Sequence, residues 1–169
     1  PAIELEEEIL REAFQQQSQK FHPDQGGSPE DFEKINQAYT LLKSRPSRLI
    51  AILNHFEVEF DSRGSISPLV DNLFDKVNST LEQASPLLSK KKQADSPLAK
   101  ALLEKPILAL QEKISLTIAE LSEKESLVWE TLLEHKENLD IELLQETSRS
   151  LIFLQKWRKQ LQESFARCW

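Results

Sequence analysis

Several residue types are scarce in this chain, and each shortage excludes something. There is one cysteine, Cys168, next to the last residue. A single Cys closes no internal disulfide and builds no Cys-rich zinc or iron–sulfur site. A reducing compartment, the cytoplasm, is its simplest home. The three histidines, His22, His55 and His135, are scattered without metal-ligand spacing, so neither a metal nor another cofactor is expected. No apolar run approaches the roughly 18 residues that a membrane span needs. The start, Pro1-Ala2-Ile3-Glu4, has neither a basic n-region nor an apolar core, so no signal peptide is visible. Methionine is absent altogether, and the natural start is expected upstream.

Basic residues are also in the minority, 21 Lys and Arg against 28 Asp and Glu, for a net charge of −7. Phosphate contact calls for a basic stripe, so a nucleic-acid partner is not expected. What the chain does have is helix-forming material. Apolar residues make up 39% of the 169 and charged residues 29%, with a mean hydropathy of −0.46. That composition suits a water-exposed globular fold with a real core.

Glycine occurs only at Gly26, Gly27 and Gly64. These mark two loops, and they divide the chain into residues 1–60 and 66–169. Apolar residues recur at helical spacing almost throughout, which predicts an all-α fold. His55 to Phe60 alternates weakly but has no hairpin partner. A first helix is expected over Glu4 to Lys20, with Leu10, Phe14 and Phe21 on one face and Ala13 beside them. A second begins at Ser28-Pro29, an N-cap followed by proline in the first turn, with Phe32, Ile35, Ala38, Tyr39 and Leu42 inward. Arg45-Pro46 ends it. A short third helix over Ser47 to Asn54 turns Leu49, Ile50 and Leu53 inward.

Beyond Gly64, Ser67-Pro68 starts a helix carrying Leu69, Val70, Leu73, Phe74, Val77 and Leu81. Pro86 and a Lys90-Lys91-Lys92 loop are expected to end it. Ser96-Pro97 starts the next, whose stripe runs from Leu98 and Leu102 through Ile107 and Leu110 to Leu132. Pro106 is expected to kink or split it. Asn138 is placed as the cap of a last helix bearing Leu144, Leu151, Leu154, Trp157 and Leu161. These three helices are read as an antiparallel bundle. Trp129 and Trp157 lie on or beside the apolar stripes and read as core, whereas Trp169 is terminal.

The one chemically distinctive constellation is His22-Pro23-Asp24. Pro23 fixes its own φ and lacks an N–H, and it pushes His22 out of the helical region. An imidazole and a carboxylate are then presented on a tip between two helices. An exposed Asp24 suits an arginine on a partner surface. Alone, such a tripeptide reads most simply as a helix terminator with a solvated Asp.

Its context resembles the J-domain family. Leu10-x-x-Ala13-Phe14 precedes the tripeptide at the family's spacing, and the aromatic Phe21 stands directly before His22. After the loop, Phe32-Glu33-Lys34-Ile35-Asn36-Gln37-Ala38-Tyr39 follows the family's next helix, with Pro46 and Arg48 beyond. The likeness covers about residues 3 to 53. It implies a helical hairpin whose first, crossing helix is missing here, with only its following loop, Pro1 and Ala2, left. It also implies a non-enzymatic activity: docking on a DnaK/HscA-type chaperone and stimulating its ATPase. The matching chaperone-binding positions are His22, Pro23, Asp24, Arg11, Lys20 and Asn36. Two departures stand out. The family's first hairpin helix is usually basic outside, but here only Arg11 and Lys20 are basic among Gln15, Gln16, Gln17, Ser18 and Gln19. Gln17 also stands where Leu is usual. Residues 1–61 hold six Lys and Arg against twelve Asp and Glu, so steering toward an acidic chaperone surface is weak.

The second unit lacks a Gly/Phe-rich linker and a zinc module. A J-domain followed closely by a helical unit of about 100 residues resembles the HscB family of iron–sulfur cluster co-chaperones. Asn36-Gln37-Ala38-Tyr39-x-x-Leu42, Pro46-x-Arg48 and Arg149-x-Leu151-x-Phe153-Leu154-x-Lys156 carry that likeness. It implies an iron–sulfur scaffold protein as second partner, bound near Leu69, Val70, Leu73 and Phe74, with the family's acidic surround thinned to Asp71 and Asp75. The residues also allow all four to be core. They leave open a J-domain protein with another client, a plain helical interaction protein, and an enzyme using His22 and Asp24 as acid and base.

Overall fold

The computed structural model describes residues 3–169, so Pro1 and Ala2, read as the remnant of a crossing-helix loop, lie outside the described residues. The fold is all-α, without a strand among the described residues. Its helices are α1 (Glu7–Lys20), α2 (Pro29–Lys43), α3 (Arg45–His55), α4 (Pro68–Asp71), α5 (Leu73–Gln93), α6 (Pro97–Glu134) and α7 (Ile141–Ala166), with a single 3-10 turn at Pro23–Gln25. Two compact units result. One holds the chain up to Ser65 with Thr131–Arg149, the other Ile66–Glu130 with Ser150–Trp169.

In the first unit, α1 and α2 form an antiparallel hairpin. Phe14 stacks on Tyr39 with ring centroids 4.1 Å apart, and nearer the turn His22 meets Phe32 edge-on at 5.1 Å. α1 starts with Glu7 and Glu8 and ends with Lys20, and α2 starts with Glu30 and Asp31 and ends with Lys43. Both arrangements oppose the helix dipole favourably. Only Leu10 of α1 is buried, and no residue of α2 is. Phe32, Ile35, Tyr39 and Leu42 are half-buried, and Ala38, expected inward, is exposed. Ala13 is exposed as well. α3 begins at Arg45 rather than Ser47, because Pro46 sits in its first turn, where a missing N–H costs nothing. Leu49, Ile52 and Leu53 are buried together with Pro46, and Ile50 is half-buried.

Arg48, also buried, donates from Nη1 to the Leu5 carbonyl at 3.4 Å. Burial, and secondly the neighbouring Arg45, push its guanidinium below the ordinary arginine value. The Asp61–Ser65 segment is tied down by Arg149, whose Nε donates to the Ser65 carbonyl at 2.7 Å and whose Nη1 donates to that of Asp61 at 3.0 Å.

In the second unit, the Ser67 hydroxyl caps α4 by accepting from the Leu69 N–H. α5 and α6 run antiparallel, tied by a Lys76–Glu120 ion pair and by Lys113 donating to Gln83 at 2.8 Å. Arg158 of α7 pairs with Glu125 of α6. Val70, Val77, Ile114, Leu121, Leu151, Leu154 and Leu161 fill the core, with Trp129 and Trp157 also buried. The buried hydroxyls of Thr80 and Thr117 donate to carbonyls four residues back, of Lys76 and Lys113.

Four expectations fail here. α5 runs through Pro86, and the lysine run forms its last turn instead of a loop, where cations suit the negative helix end. α6 runs through Pro106 without a break. The carbonyls these prolines leave without their usual donor belong to Glu82 and Leu102, both exposed residues. Leu98 and Leu102 point outward, about 70% exposed. In the first unit, Asp140 rather than Asn138 precedes α7, its Oδ1 accepting from the Glu142 N–H at 3.1 Å.

Candidate functional site

The turn between α1 and α2 is built from its own short sequence. α1 ends at Lys20 because Pro23 forces His22 into extended backbone, φ −63°, ψ 132°. His22 then caps the 3-10 turn. Its Nδ1 accepts from the Asp24 N–H at 3.2 Å, and its carbonyl accepts from the N–H groups of Gln25 at 2.9 Å and Gly27 at 3.0 Å. Gly26 takes φ 83°, which an L side chain rarely adopts. A Cβ on Gly27 would lie 2.2 Å from the Phe21 carbonyl oxygen. Both glycines are therefore required by the turn.

This turn aims the side chains. Phe32 holds one edge of the imidazole while the Asp24 carboxylate stands out, 87% exposed. The carboxylate Oδ2 lies 3.6 Å from Nδ1, a charged pair only when His22 is protonated. Beside the pair opens a cleft of about 670 Å³ lined by Phe14, Ser18, Gln19, His22, Asp24, Gln25 and Phe32. No pocket was expected there.

The other chaperone-binding candidates do not gather at this tip. Arg11 pairs with Glu8 at 3.3 Å on its own helix. It lies nine residues from Lys20, half a turn out of phase at about 100° per residue, so the two flank opposite edges of the Leu10–Phe14 stripe. Lys20 extends its Nζ over the Phe21 ring at 5.2 Å. Asn36 is turned to its own helix, Nδ2 donating to the Phe32 carbonyl at 2.9 Å, and lines a separate shallow hollow with Gln37, Thr40 and Ser47. No group of three or more His, Cys, Asp or Glu among the described residues is arranged to hold a metal ion, and no helix among them is long and apolar enough to cross a membrane.

In the second unit, the four scaffold-binding candidates divide. Val70 and Leu73 are buried, whereas Leu69 is 37% and Phe74 50% exposed. The Phe74 ring lies 6.2 Å from Trp157, which lies 5.7 Å from Phe153. Two partly exposed phenylalanines thus flank a buried tryptophan. Phe153 was missed as a site residue because it adjoins Leu151 and Leu154 in a leucine-rich helix, where periodicity alone does not separate rim from core.

Searches of protein-family models, curated proteins and solved structures yield no match to this chain.

Proposed function

We propose that the chain is a co-chaperone of the J-domain class, acting by binding and not by chemistry. One observation carries the reading: an exposed Asp24 carboxylate held beside His22 on a proline-fixed turn, at the tip of an antiparallel helical hairpin. Such a tip suits capture of an arginine on a partner through charge-assisted hydrogen bonds. His22 contributes twice, by ordering the Asp24 backbone and by offering a half-exposed ring edge to the partner. Docking of this kind activates a DnaK/HscA-type chaperone if it favours the hydrolysis-competent state over the alternative.

Within that class we place it nearest the HscB type, which brings an iron–sulfur scaffold protein to its chaperone. The Phe74–Trp157–Phe153 cluster supports this, with Leu69 close by in sequence and Asp71 and Asp75 beside Phe74. A partly exposed aromatic cluster is the kind of anchor that a protein partner buries. The cytoplasm suits both partners.

Steady-state ATP hydrolysis by a DnaK/HscA-type chaperone tests the reading. Added protein is expected to stimulate turnover, Asp24→Asn to abolish the stimulation, and scaffold protein to act synergistically. Stimulation that needs Asp24 but ignores the scaffold leaves a J-domain protein with another client. Absence of stimulation by folded protein overturns the proposal.

A further inference from the structure

The second unit is hollow at one end. α6 lines the hollow from Lys100 to Gln111, with Leu103, Ile107 and Leu108 on the same helix face. α5 supplies one wall through Lys91 and Ala94, and Cys168 and Trp169, just past α7, supply another. The cavity measures about 380 Å³, which falls in the range of small-molecule sites. Its inner surface is Ile107 and Cys168, 6% and 4% exposed, and its rim is Leu108 and Trp169, 64% and 84% exposed. An apolar body can therefore enter from solvent and leave water behind.

Charge at this end runs against the trend of the chain. Residues 90–105 hold five lysines against Asp95 and Glu104, in a chain of net charge −7. Two of those lysines line the cavity. Lys91 is half-buried and its Nζ donates to the Cys168 carbonyl, which holds the ammonium at the inner surface. An ammonium has three donors, and that bond uses one. Lys100 is exposed and forms no ion pair among the described residues. Burial raises the Cys168 thiol most, while Lys91 and then Arg167 pull it down, so both cations are felt inside. Glu104 is the one carboxylate side chain on the lining, and the three cations outnumber it.

We infer that this cavity binds a small amphiphilic carboxylate, such as a medium-chain fatty acid. Its hydrocarbon tail lies on Leu103, Ile107 and Leu108, and its head accepts from the ammonium groups of Lys91 and Lys100. Each half of such a ligand answers one half of the site. The tail removes apolar surface from water, which is the main favourable term, and the head gains charge-assisted hydrogen bonds. A neutral apolar molecule satisfies only the first half, and an inorganic anion only the second. The site belongs wholly to the second unit and is independent of the His22–Asp24 tip.

The test is calorimetric titration of the whole chain with octanoate, to millimolar concentration and below micelle formation. One saturable site is expected, with octanol, the same chain without the charge, at least about tenfold weaker. Tryptophan emission is expected to shift to shorter wavelength as Trp169 is covered, and Trp169→Phe to remove the shift. Lys91→Gln/Lys100→Gln is expected to weaken octanoate about tenfold and to leave octanol unchanged. Leu108→Glu, which sets a carboxylate on the rim, is expected to weaken both, with circular dichroism reporting that each variant folds. Lys100 and Leu108 are exposed, so Lys100→Gln alone and Leu108→Glu stay informative even if the Lys91 change disturbs the fold. Absence of saturable binding by the folded chain overturns the inference. So does equal affinity for octanoate and octanol, or octanoate binding that ignores both Lys100→Gln and Leu108→Glu.

Discussion

The Nδ1 of His22 accepts from the Asp24 backbone N–H at 3.2 Å, so the first residue of the tripeptide sets the backbone that carries the third. The bond is exposed. Its net contribution to stability is therefore at most about 1 kcal/mol. His22→Ala is expected to change the urea midpoint little while removing most chaperone stimulation, because Asp24 loses its fixed presentation. A large loss of stability with stimulation retained would show that the histidine serves the fold alone.

The two glycines of the same turn are expected to differ. Gly26→Ala meets open space but keeps φ at 83°, a left-handed conformation that costs about 1–2 kcal/mol with a side chain. Gly27→Ala drives a Cβ to 2.2 Å from a backbone oxygen, and rigid backbone yields less readily than a side chain. Gly27→Ala should be the more destabilising in urea, and it should also disturb the His22 cap, because the Gly27 N–H bonds the His22 carbonyl.

Helix starts were legible at three of the four places where serine precedes proline, the exception being Ser85-Pro86 inside α5. Ser28-Pro29, Ser67-Pro68 and Ser96-Pro97 each mark one, because the serine ends extended chain and the proline has no N–H to lose. The same residue misled inside helices. Pro86 and Pro106 carry a local penalty of about 3 kcal/mol, but long buried stripes, such as Val77 to Leu88 in α5, outweigh it. The tripeptide was legible from composition, and its place on a helical tip followed from Pro23. The gathering of Phe74, Phe153 and Trp157 was not, because it depends on the rotation of α5 against α7, which no local pattern records.

Arg149 belonged to a loose sequence likeness, but in the structure it braces a loop. Buried at 6% exposure, it donates to the carbonyls of Ser65 and Asp61. Two charge-assisted bonds and the orphaned carbonyls make Arg149→Ala cost about 3 kcal/mol. Arg149→Lys should recover little, since an ammonium does not reproduce the fixed fork of the guanidinium. Urea unfolding of both variants checks this.

Cys168 is buried, and burial holds its thiol above the ordinary value, with Lys91 and Arg167 pulling the other way. A raised value means that the folded chain keeps this proton to higher pH than the unfolded chain does. The associated stability is present below the unfolded value of about 8.5 and is lost as pH rises through the folded one. The wild type should therefore lose more stability than Cys168→Ala above the ordinary thiol range, in paired urea titrations. Thiol labelling at neutral pH should likewise be slow until urea unfolds the chain.

Adjacent positions in α5 separate stability from binding. Leu73 is 3% exposed and Phe74 50%, so the two side chains meet different surroundings although their backbones are neighbours. Leu73→Ala opens a cavity in the core of the second unit and should cost about 2–5 kcal/mol. Phe74→Ala removes a ring that water already half covers, and should cost far less. If the aromatic cluster binds the scaffold, Phe74→Ala and Phe153→Ala should each weaken that complex about tenfold or more, with thermal stability nearly kept. Calorimetric titration with the scaffold reads the first quantity and thermal unfolding the second. Equal affinity for wild type and both variants would remove the cluster from the binding surface and leave it as a flank of Trp157.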